Sequence, residues 1–414
     1  MQNPIVAGVP SPFALRSSPF ALRPSLFALR SSPFALRPSL FTALLALSSA
    51  ALAQAPLTKP IPAPDTAIIR GLYVNRFAAQ SPKRMRQFIA IADSTEINAL
   101  VIDVKDEFGL NFAASDPVVA RNAGRAGVIP RLTALLDTLR AHRILAVARI
   151  VVFKDSVTAR VNPAWTIRRE DGSPWRDKEG LTWVNPFHAE LWDYNIRVAE
   201  EAVRLGFGEV QFDYIRFPEP YRTLPRQVFP GQAATTKEQA LAAFLRLARE
   251  RLVTLGVRTT ADIFGLVTTV PGALEVGQQW EHLARVTDVL LPMVYPSHYP
   301  RGAFGLPRPN AEPYKVVHAA LVRARERDLK LGLTGERVRP WLQAFTLGRP
   351  TYGPSEIRAQ KQAVYDAGYD GWVLWNPGSK YEPVLSALEK ATVSHKKVFT
   401  LDSVRGQKSS PRRH

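Results

Sequence analysis

The feature that most constrains the fold is a regular alternation of short β-rich runs with amphipathic helical stretches, which begins near residue 68 and continues to about residue 390. Eight runs have the composition of buried strands: 69–74, 99–105, 144–152, 209–213, 258–264, 289–295, 340–345 and 371–375. Alternating strands and helices favour parallel strands joined by right-handed crossovers. The sequence therefore predicts an α/β fold, a (β/α)8 TIM barrel. A doubly wound open sheet is the alternative, but no glycine-rich phosphate loop follows the first strand.

Apolar residues between the strands recur at helical spacing. One stripe, which Gly206 follows as a C-cap, comprises Leu191, Tyr194, Val198, Ala202 and Leu205. A second stripe ends before Gly256 and comprises Leu241, Phe244, Leu245, Ala248 and Leu252. A third helix closes at Gly368, just before the last strand. Each stripe predicts a helix that packs against the barrel through one face.

Four long segments interrupt the alternation: 107–129, 154–188, 219–236 and 296–313. Each of them follows a predicted strand and precedes a predicted helix. Such βα loops all lie at the C-terminal face of a barrel, where barrel enzymes build their active sites. We therefore expect the functional site at this face.

The N-terminal segment has a different character. Residues 11–43 repeat a seven-residue unit (SSPFALR, PSLFALR), and proline or paired serines in each unit argue against a helix. LFTALLALSSAALAQA then follows Arg37 as a short apolar run with a small-residue ending, which predicts a secretory signal peptide cleaved near Ala55. We divide the chain into a leader and signal peptide (1–55), a proline-rich tether (56–67), a barrel (68–390) and a basic flexible tail (391–414). The expected location is secreted or periplasmic.

Half of the net charge of +18 lies in the two ends of the chain. The first 55 residues carry four arginines and no acid, and residues 391–414 carry six lysines and arginines against one aspartate. This distribution does not favour nucleic-acid binding. The tail could instead contact an anionic envelope polymer. The chain has no cysteine, which excludes disulfides, thiolate zinc sites and a cysteine nucleophile.

Polar residues occupy the ends of several predicted strands in the phase that faces a barrel interior. They are Asp103 and Lys105 with Asp106 just beyond, Arg149, Gln211 and Asp213, Asp262, Tyr295 with His298 in the next loop, Gln343, and Trp375 with Asn376. Carboxylates and cations that converge on one mouth can neutralise one another and still form a polar floor for a substrate. The alternative is a set of structural ion pairs, such as Asp103 with Lys105 or Arg149, and Asp213 with Arg216.

Most catalytic chemistries lack their motif in this sequence. There is no G-x-S-x-G turn, and the seven histidines form no H-x-H or H-E-x-x-H pair, so neither a serine nucleophile, a metal nor a cofactor is predicted. What remains is a set of carboxylates in aromatic surroundings, which glycoside hydrolysis requires. The aromatic residues at strand ends and in the long loops are Trp165, Trp175, Trp183, Tyr214, Tyr295, Tyr299, Trp341 and Trp375.

Several segments together resemble a bacterial glycoside hydrolase-like family with a TIM barrel, DUF4015. They include ALVIDVKDEFG, WVNPFHAELWDYNIRVAEEAVRLGFGEVQFDYIRFP, LLPMVYPSHY and GWVLWNP, in this order. The resemblance covers residues 68–388, and the run through 209–218 and the MVYPSHY segment are its most specific parts. It implies a (β/α)8 glycosidase-like fold and action on a polysaccharide. It does not imply the catalytic roles of particular residues.

We expect Asp213 to be the leading catalytic carboxylate, because the fourth strand of glycosidase barrels commonly presents one at its end. Asp262 is the expected partner, and Asp103 is held in reserve. Which of them acts as acid, and whether the reaction retains or inverts configuration, stay open. The expected substrate-binding residues are Tyr73, Lys105, Asp106, Arg149, Arg216, Tyr295, His298, Gln343, Trp375 and Asn376.

The expected function is thus that of a secreted or periplasmic glycoside hydrolase that acts on a polysaccharide. The main alternative is a non-catalytic carbohydrate-binding protein on a degenerate barrel. A further alternative is an envelope scaffold that binds an anionic polymer through the basic tail.

Overall fold

The computed structural model describes residues 68–232 and 234–399. The predicted leader, signal peptide and tether lie outside the described residues, as do residues 400–414 of the predicted tail.

The described residues form a closed ring of eight parallel strands. The strands in chain order are β1 (Arg70–Val74), β2 (Ala99–Asp106), β3 (Gly109–Leu110), β4 (Leu145–Val151), β5 (Glu209–Asp213), β6 (Arg258–Phe264), β7 (Val289–Met293), β8 (Trp341–Gln343) and β9 (Trp372–Trp375). Each strand except β3 pairs in parallel with its neighbours, and β1 closes the ring by pairing with both β2 and β9. The two-residue β3 turns back antiparallel on the end of β2. This ring confirms the predicted TIM barrel.

Helices surround the ring. They are α1 (Arg76–Ala79), α2 (Pro82–Ser94), α3 (Pro117–Arg121), α4 (Leu132–Ala141), α5 (Ser156–Val161), α6 (Ala189–Leu205), α7 (Lys237–Val253), α8 (Trp280–Leu283), α9 (Pro313–Lys330) and α10 (Pro354–Asp366). The apolar stripes of the sequence correspond to α6, α7 and the end of α10. In the described part of the chain, no helix combines the length and the apolar character that crossing a membrane requires.

Local sequence explains where the long helices begin and end. On α6, the stripe residues Leu191, Val198 and Ala202 are fully buried. Gly206 ends this helix with a φ of 120°, a backbone conformation that a residue with a Cβ rarely adopts. Thr236 begins α7 with a capping box, in which its side chain accepts from the N–H of Gln239 and the Gln239 side chain accepts in return.

The core has two layers because strand side chains alternate in direction. One set packs outward against the helices, and a separate apolar cluster fills the barrel interior: Tyr73, Val101, Val147, Val289, Leu291, Tyr295, Trp341 and Val373. A buried ion pair closes the lower interior, where Nη1 of Arg339 donates to Oε1 of Glu209 over 2.6 Å. The interior is therefore a packed core with charged layers, and the upper layer faces the C-terminal mouth.

The four long loops all follow strands and lie at this mouth. The loop after β4 is tied to the loop after β5, because Arg168 bridges to Val228 and the indole N–H of Trp175 donates to the carbonyl of Pro225 over 2.9 Å. Both loops thus form one structured rim beside the ends of β4 and β5.

The described residues of the predicted tail run along the opposite, N-terminal face. Asp370, which precedes β9, accepts hydrogen bonds from the N–H groups of His395 and Lys396, at 2.8 and 3.0 Å. Nζ of Lys396 pairs with Glu336 at 2.5 Å, and the Arg70 guanidinium donates to the carbonyl of Val393 over 2.6 Å. Up to residue 397 the segment is therefore anchored to the barrel.

Candidate active site

Arg149 on β4 lies between carboxylates from three other strands at the mouth of the barrel. Its Nε is 3.0 Å from Oδ2 of Asp213 on β5 and 3.9 Å from Oδ2 of Asp262 on β6. A second nitrogen, Nη1, donates to Oδ1 of Asp103 on β2. One guanidinium therefore joins all three aspartates that the sequence nominated for catalysis.

Strand register places these side chains together. Asp103 lies directly beside Arg149 in the β2–β4 pairing, and Asp213 is two residues beyond Gln211, the partner of Arg149 in the β4–β5 pairing. All of them point inward because they share one phase of the alternation. Since the same Nε contacts Asp213 and Asp262, their Oδ2 atoms are at most about 7 Å apart, within the carboxyl spacing of glycosidases.

The charges of this cluster do not balance, because one guanidinium faces three carboxyl groups in a dry interior. Burial raises the pKa of Asp103 to about 6, although Arg149 acts in the opposite direction. Burial, together with the charge of Asp213, raises the pKa of Asp262 well above its ordinary value. The same aspartates hold the pKa of Arg149 well above its ordinary value. Burial and the neighbouring carboxylate therefore both favour the protonated form of Asp262.

Asp262 lies at the bottom of the cluster. Its carboxyl group accepts hydrogen bonds from Nε2 of Gln211 at 2.8 and 3.0 Å and from Nε1 of Trp341 at 2.6 Å. Its side chain has no exposed surface, whereas those of Asp103 and Asp213 are 4% and 9% exposed. Asp213 is therefore the member of the trio that a ligand at the mouth reaches most directly.

Aromatic rings form one wall of the mouth. Tyr73 stacks on Trp375 with ring centroids 4.0 Å apart, and its hydroxyl donates to Oδ2 of Asp103 over 2.5 Å. The Arg149 guanidinium lies 5.4 and 5.5 Å from the centroids of these two rings. Trp341 meets both rings edge-on from below. Because Trp375 is only half-buried, this wall is accessible from solvent.

The backbone turns sharply after Asp213. Tyr214 has a φ of 52°, in the left-handed region, which is uncommon for a residue with a large side chain. Its N–H donates to Oδ1 of Asp213 over 2.5 Å. The turn therefore fixes the Asp213 carboxyl group from one side while Arg149 fixes it from the other.

Arg216 lies at the rim and contacts none of the three aspartates. Its guanidinium is 4.9, 5.0 and 4.7 Å from the rings of Trp183, Tyr214 and Phe264. It pairs with Glu219 at 2.8 Å. The Asp213–Arg216 pair, which the alternative of structural ion pairs included, is therefore absent from the described structure. Arg216 instead holds aromatic side chains beside the mouth.

Two predicted substrate-binding residues point away from the mouth. The register shifts between Asp103 and Lys105, so that Lys105 pairs with Ile150 on the outward face of the barrel. Its ammonium group is buried there, 2.7 Å from Oδ2 of Asp155. Asp106 is held by the guanidinium of Arg76, with Nε 2.8 Å from its Oδ2. Both form structural ion pairs outside the cluster.

The remaining predicted residues line or support the rim. Tyr295 is close enough to Asp262 and Asp213 that both carboxylates, after burial, raise the pKa of its hydroxyl. Burial lowers the pKa of His298 to about 4, which keeps this ring neutral at pH 7. Gln343 accepts from the N–H of Ser297 over 3.0 Å and so holds the loop that carries His298. Asn376 donates to the carbonyl of Ala344 over 2.7 Å and organises the turn after β9.

The sequence interpretation overlooked Glu107, in the turn between β2 and β3. Glu107 is exposed to solvent, but protein atoms around its carboxyl group displace part of the water. This partial desolvation raises its pKa, and the charge of Asp106 acts in the same direction. The charges of Arg149 and Lys154 reach it and act in the opposite direction. No described cation lies within ion-pair distance of it. Glu107 is thus an unpaired carboxyl group at the mouth, and the acid-rich string DVKDE was the available signal.

Within the described ranges, no three acidic or histidine side chains are grouped so that they could hold a metal ion. The functional groups that the described residues present at the mouth are carboxyl groups, one shared guanidinium and aromatic rings.

Comparison with known proteins identifies the family of the chain and agrees with the barrel fold. Residues 71–381 match the model of the family DUF4015, which is described as "Putative glycosyl hydrolase domain". The curated proteins include no match. One solved structure, a hypothetical protein from Ruminiclostridium thermocellum ATCC 27405, is 34% identical over 46% of this chain and 96% of its own, with a TM-score of 0.42.

Two further solved structures share the barrel at low identity. The glycoside hydrolase domain of PgaB (BpsB) from Bordetella bronchiseptica is 16% identical, covers 76% of this chain and 95% of its own, and has a TM-score of 0.52. A chitobiase from Flavobacterium johnsoniae is 10% identical, covers 82% of this chain and 50% of its own, and has a TM-score of 0.50. The family match spans about three quarters of the sequence, so the chain belongs to the DUF4015 family of glycosyl hydrolase-like TIM barrels.

Proposed function

We propose that this protein is an exported glycoside hydrolase that cleaves a polysaccharide, with Asp213 as its reactive carboxylate. The observation that carries the proposal is the position of Asp213: the end of β5, at the mouth of a DUF4015 barrel, between Arg149 and the Tyr214 N–H. Barrel enzymes take their catalytic residues from such strand ends.

Asp213 acts as nucleophile or as the base that activates water. Two fixed donors orient its carboxyl group, and it is the most exposed aspartate of the trio. Orientation by fixed donors lowers the entropic cost of reaching the attacking geometry. Asp213 either forms a bond to the anomeric carbon, which water later breaks, or removes a proton from the attacking water.

Asp262 and Arg149 act through Asp213, and we assign them positioning roles. The Asp262 side chain has no exposed surface, and burial and the charge of Asp213 raise its pKa. Its protonated form reduces the negative charge that the guanidinium must offset. Arg149 then remains available to hold the Asp213 carboxylate. This differs from the role expected from the sequence, because a side chain without exposed surface cannot touch a sugar.

Glu107 is our candidate for the proton donor. A glycosidic bond breaks when the leaving oxygen receives a proton, and the donor must reach that oxygen from solvent. Glu107 is exposed, has no ion-pair partner among the described residues, and has a raised pKa. If Asp213 is the nucleophile, Glu107 gives its proton to the leaving sugar oxygen and then takes one from the water that breaks the covalent intermediate. If Asp213 is the base, Asp213 takes the proton of the attacking water, Glu107 gives its own to the leaving oxygen, and both groups return to their starting states by exchange with solvent.

The aromatic wall would contact the sugar ring next to the cleaved bond. The half-buried Trp375 offers an apolar face that Tyr73 supports from behind at 4.0 Å. Across the mouth, Tyr214 offers a second face, held by Arg216. Apolar faces of this kind pack against sugar rings, and the polar floor then bonds hydroxyl groups.

A carbohydrate-binding protein without catalysis is the second candidate. The observation in its favour is that Asp103, Asp213 and Asp262 are nearly enclosed and all held by Arg149. Such a protein would bind a glycan at the mouth and release no product. Its binding would be unaffected by the change Asp213→Asn.

Export rests on the pattern at residues 38–55, and cell fractionation with a C-terminal epitope tag tests it. The same fractions test whether the basic residues 400–414 contact an anionic envelope polymer: deletion of this segment should then release the protein from the envelope at low salt. Retention of the deleted form would contradict that contact.

Activity is tested by incubating the full chain with a panel of bacterial and plant polysaccharides. Reducing-end release and mass spectrometry of the products should identify one polymer from which new chain ends appear. Anomer-resolved NMR of the first product then distinguishes retention from inversion. Saturable binding to a polymer without any new reducing end would favour the second candidate.

A further inference from the structure

Two phenylalanines are exposed on the same face of the barrel as the candidate site. Phe77 in α1 is 65% exposed, and Phe108 in the turn after β2 is 47% exposed. Their rings are in contact edge-to-face, with centroids 5.9 Å apart. Burial of large apolar side chains usually stabilises a protein, and these two neighbouring side chains are instead exposed. Exposed apolar patches commonly mark binding sites. We call them the Phe77–Phe108 pair.

The turn that carries Phe108 is held rigidly. Oδ1 of Asp106 accepts from the N–H of Phe108 over 2.9 Å, and the Arg76 guanidinium, bound to the same carboxylate, lies 5.9 Å from the Phe108 ring. Gly109 packs so closely that a Cβ there would lie 2.3 Å from the carbonyl oxygen of Ala123. The exposed ring is therefore mounted on a fixed support.

Phe77 is anchored from the other side. Asn75 caps α1 by accepting from the N–H of Ala78 over 2.9 Å. Its amide donates to the carbonyl of Pro377 over 2.8 Å, and its N–H donates to Oγ of Ser379 over 2.9 Å. The turn after β9, which begins at Trp375, thus holds the helix that presents Phe77.

The pair continues the aromatic wall outward. Phe77 is four residues beyond Tyr73, so their Cα atoms are at most about 14 Å apart. Phe108 directly follows Glu107, the candidate proton donor. A chain of sugars that leaves the mouth past Trp375 on this side therefore meets the pair next.

We propose that the Phe77–Phe108 pair is a distal subsite that binds a further sugar ring of the polysaccharide cleaved at Asp213. This inference rests on the proposed function for the identity of the occupant. Flat apolar rings on a fixed support suit the apolar face of a sugar. A long polymer gains this contact, and a short oligosaccharide confined to the mouth does not.

The test compares the full-length protein with the double variant F77A/F108A and with a control, V253A, which trims an exposed valine at the end of α7 on the opposite face. Native gels containing hydroxyethyl cellulose, glycol chitin, soluble starch or galactomannan measure retardation. We expect the wild type and V253A to be retarded by at least one polymer. F77A/F108A should lose roughly two- to tenfold in apparent affinity for it, the range of aromatic contacts.

Three results would overturn the subsite. They are retardation of F77A/F108A equal to that of the wild type, absence of retardation of the wild type in all four gels, and a change of sedimentation coefficient on substitution, which would identify a self-association surface. Failure of the proposed hydrolysis is distinguishable. It would leave retardation dependent on the pair, without any release of reducing ends.

Discussion

Arg149 and Asp213 join two adjacent strands at the barrel mouth, where Nε of Arg149 donates to Oδ2 of Asp213 over 3.0 Å. The same guanidinium also contacts Asp103 and Asp262. The position of the reactive carboxylate therefore depends on a cation that three strands share, and stability and activity should be linked through it.

Replacing Arg149 with methionine should be strongly destabilising. The change leaves Asp103 and Asp213 buried without their cation, and breaking a buried pair in this way costs about 3–5 kcal/mol. Urea unfolding measures the loss. Arg84→Met, which removes a partly exposed pair with Glu382, should cost less than about 1 kcal/mol. Equal costs for the two variants would contradict the cluster.

Stability should fall as pH rises from about 4 to 6. Burial raises the pKa of Asp103 to about 6, so the folded state binds a proton that the unfolded state has released above about pH 4. This contribution is present at low pH and is lost as pH rises through 6, and it amounts to about 3 kcal/mol. Burial and the charge of Asp213 also raise the pKa of Asp262, which contributes in the same direction.

The matched variants for this pH dependence are Asp103→Asn and Asp171→Asn. The first should flatten the dependence of the free energy of unfolding on pH between about pH 4 and 6. The second should not, because hydrogen bonds from Ser173 lower the pKa of Asp171 and confine its effect to more acidic solution. If the free energy of unfolding of Asp103→Asn depends on pH as that of the wild type does, the Asp103 carboxyl group does not titrate in this pH range.

Glu107→Gln should reduce hydrolysis of the polymer by about 10²- to 10⁴-fold, the contribution of a general acid. An aryl glycoside of the released sugar, with a dinitrophenolate leaving group that needs no proton, should lose far less. Initial rates on both substrates measure the difference, and Glu170→Gln, at an exposed loop position, is the control. Equal losses on both substrates would remove Glu107 as the proton donor.

Lys105→Met should destabilise the protein without a specific effect on substrate binding. The change leaves Asp155 buried and unpaired, at a cost of about 3–5 kcal/mol in urea unfolding. Adding Asp155→Asn should recover part of the lost stability, because it removes the unpaired charge. Asparagine also keeps the hydrogen bond by which the residue at position 155 caps α5. A KM for the polymer that rises severalfold in the double variant, while its stability recovers, would return Lys105 to the substrate site.

The barrel could be predicted from the sequence because strand and helix patterns repeat eight times. The bounds of β5 and β6 agree with the predicted runs at both ends. The two-residue β3 could not be predicted, because its length gives no periodic pattern. It follows the turn that carries Glu107 and Phe108, and the acid-rich string DVKDE was the one signal in the sequence for this part of the site.

The site could be predicted as far as strand phase is reliable. Asp103, Arg149, Asp213 and Asp262 share the inward phase, and the structure brings them together. Lys105 has the same phase in the sequence, but the register shift before it reverses its direction. A shift of this kind depends on pairing with the neighbouring strand, which a single sequence does not reveal.

The roles of the residues within the cluster could be assigned only from their burial and their contacts in the structure. Asp262 and Asp213 have equivalent positions in the sequence pattern, yet only Asp213 has exposed side-chain surface. Our proposal gives Asp213 the contact with the sugar and Asp262 a supporting role beneath it. That distinction depends on Gln211 and Trp341, which enclose Asp262 and donate hydrogen bonds to its carboxyl group. Neither contact follows from residue spacing.

The most direct test of the account is the rate of reducing-end release by Asp213→Asn, measured on the polymer that the wild type cleaves. The variant should fold, bind the polymer in native gels, and lose about 10³-fold or more in rate, because no other exposed carboxyl group can take its place on β5. Wild-type turnover by Asp213→Asn, at unchanged melting temperature, would contradict the assignment of Asp213 as the reactive carboxylate.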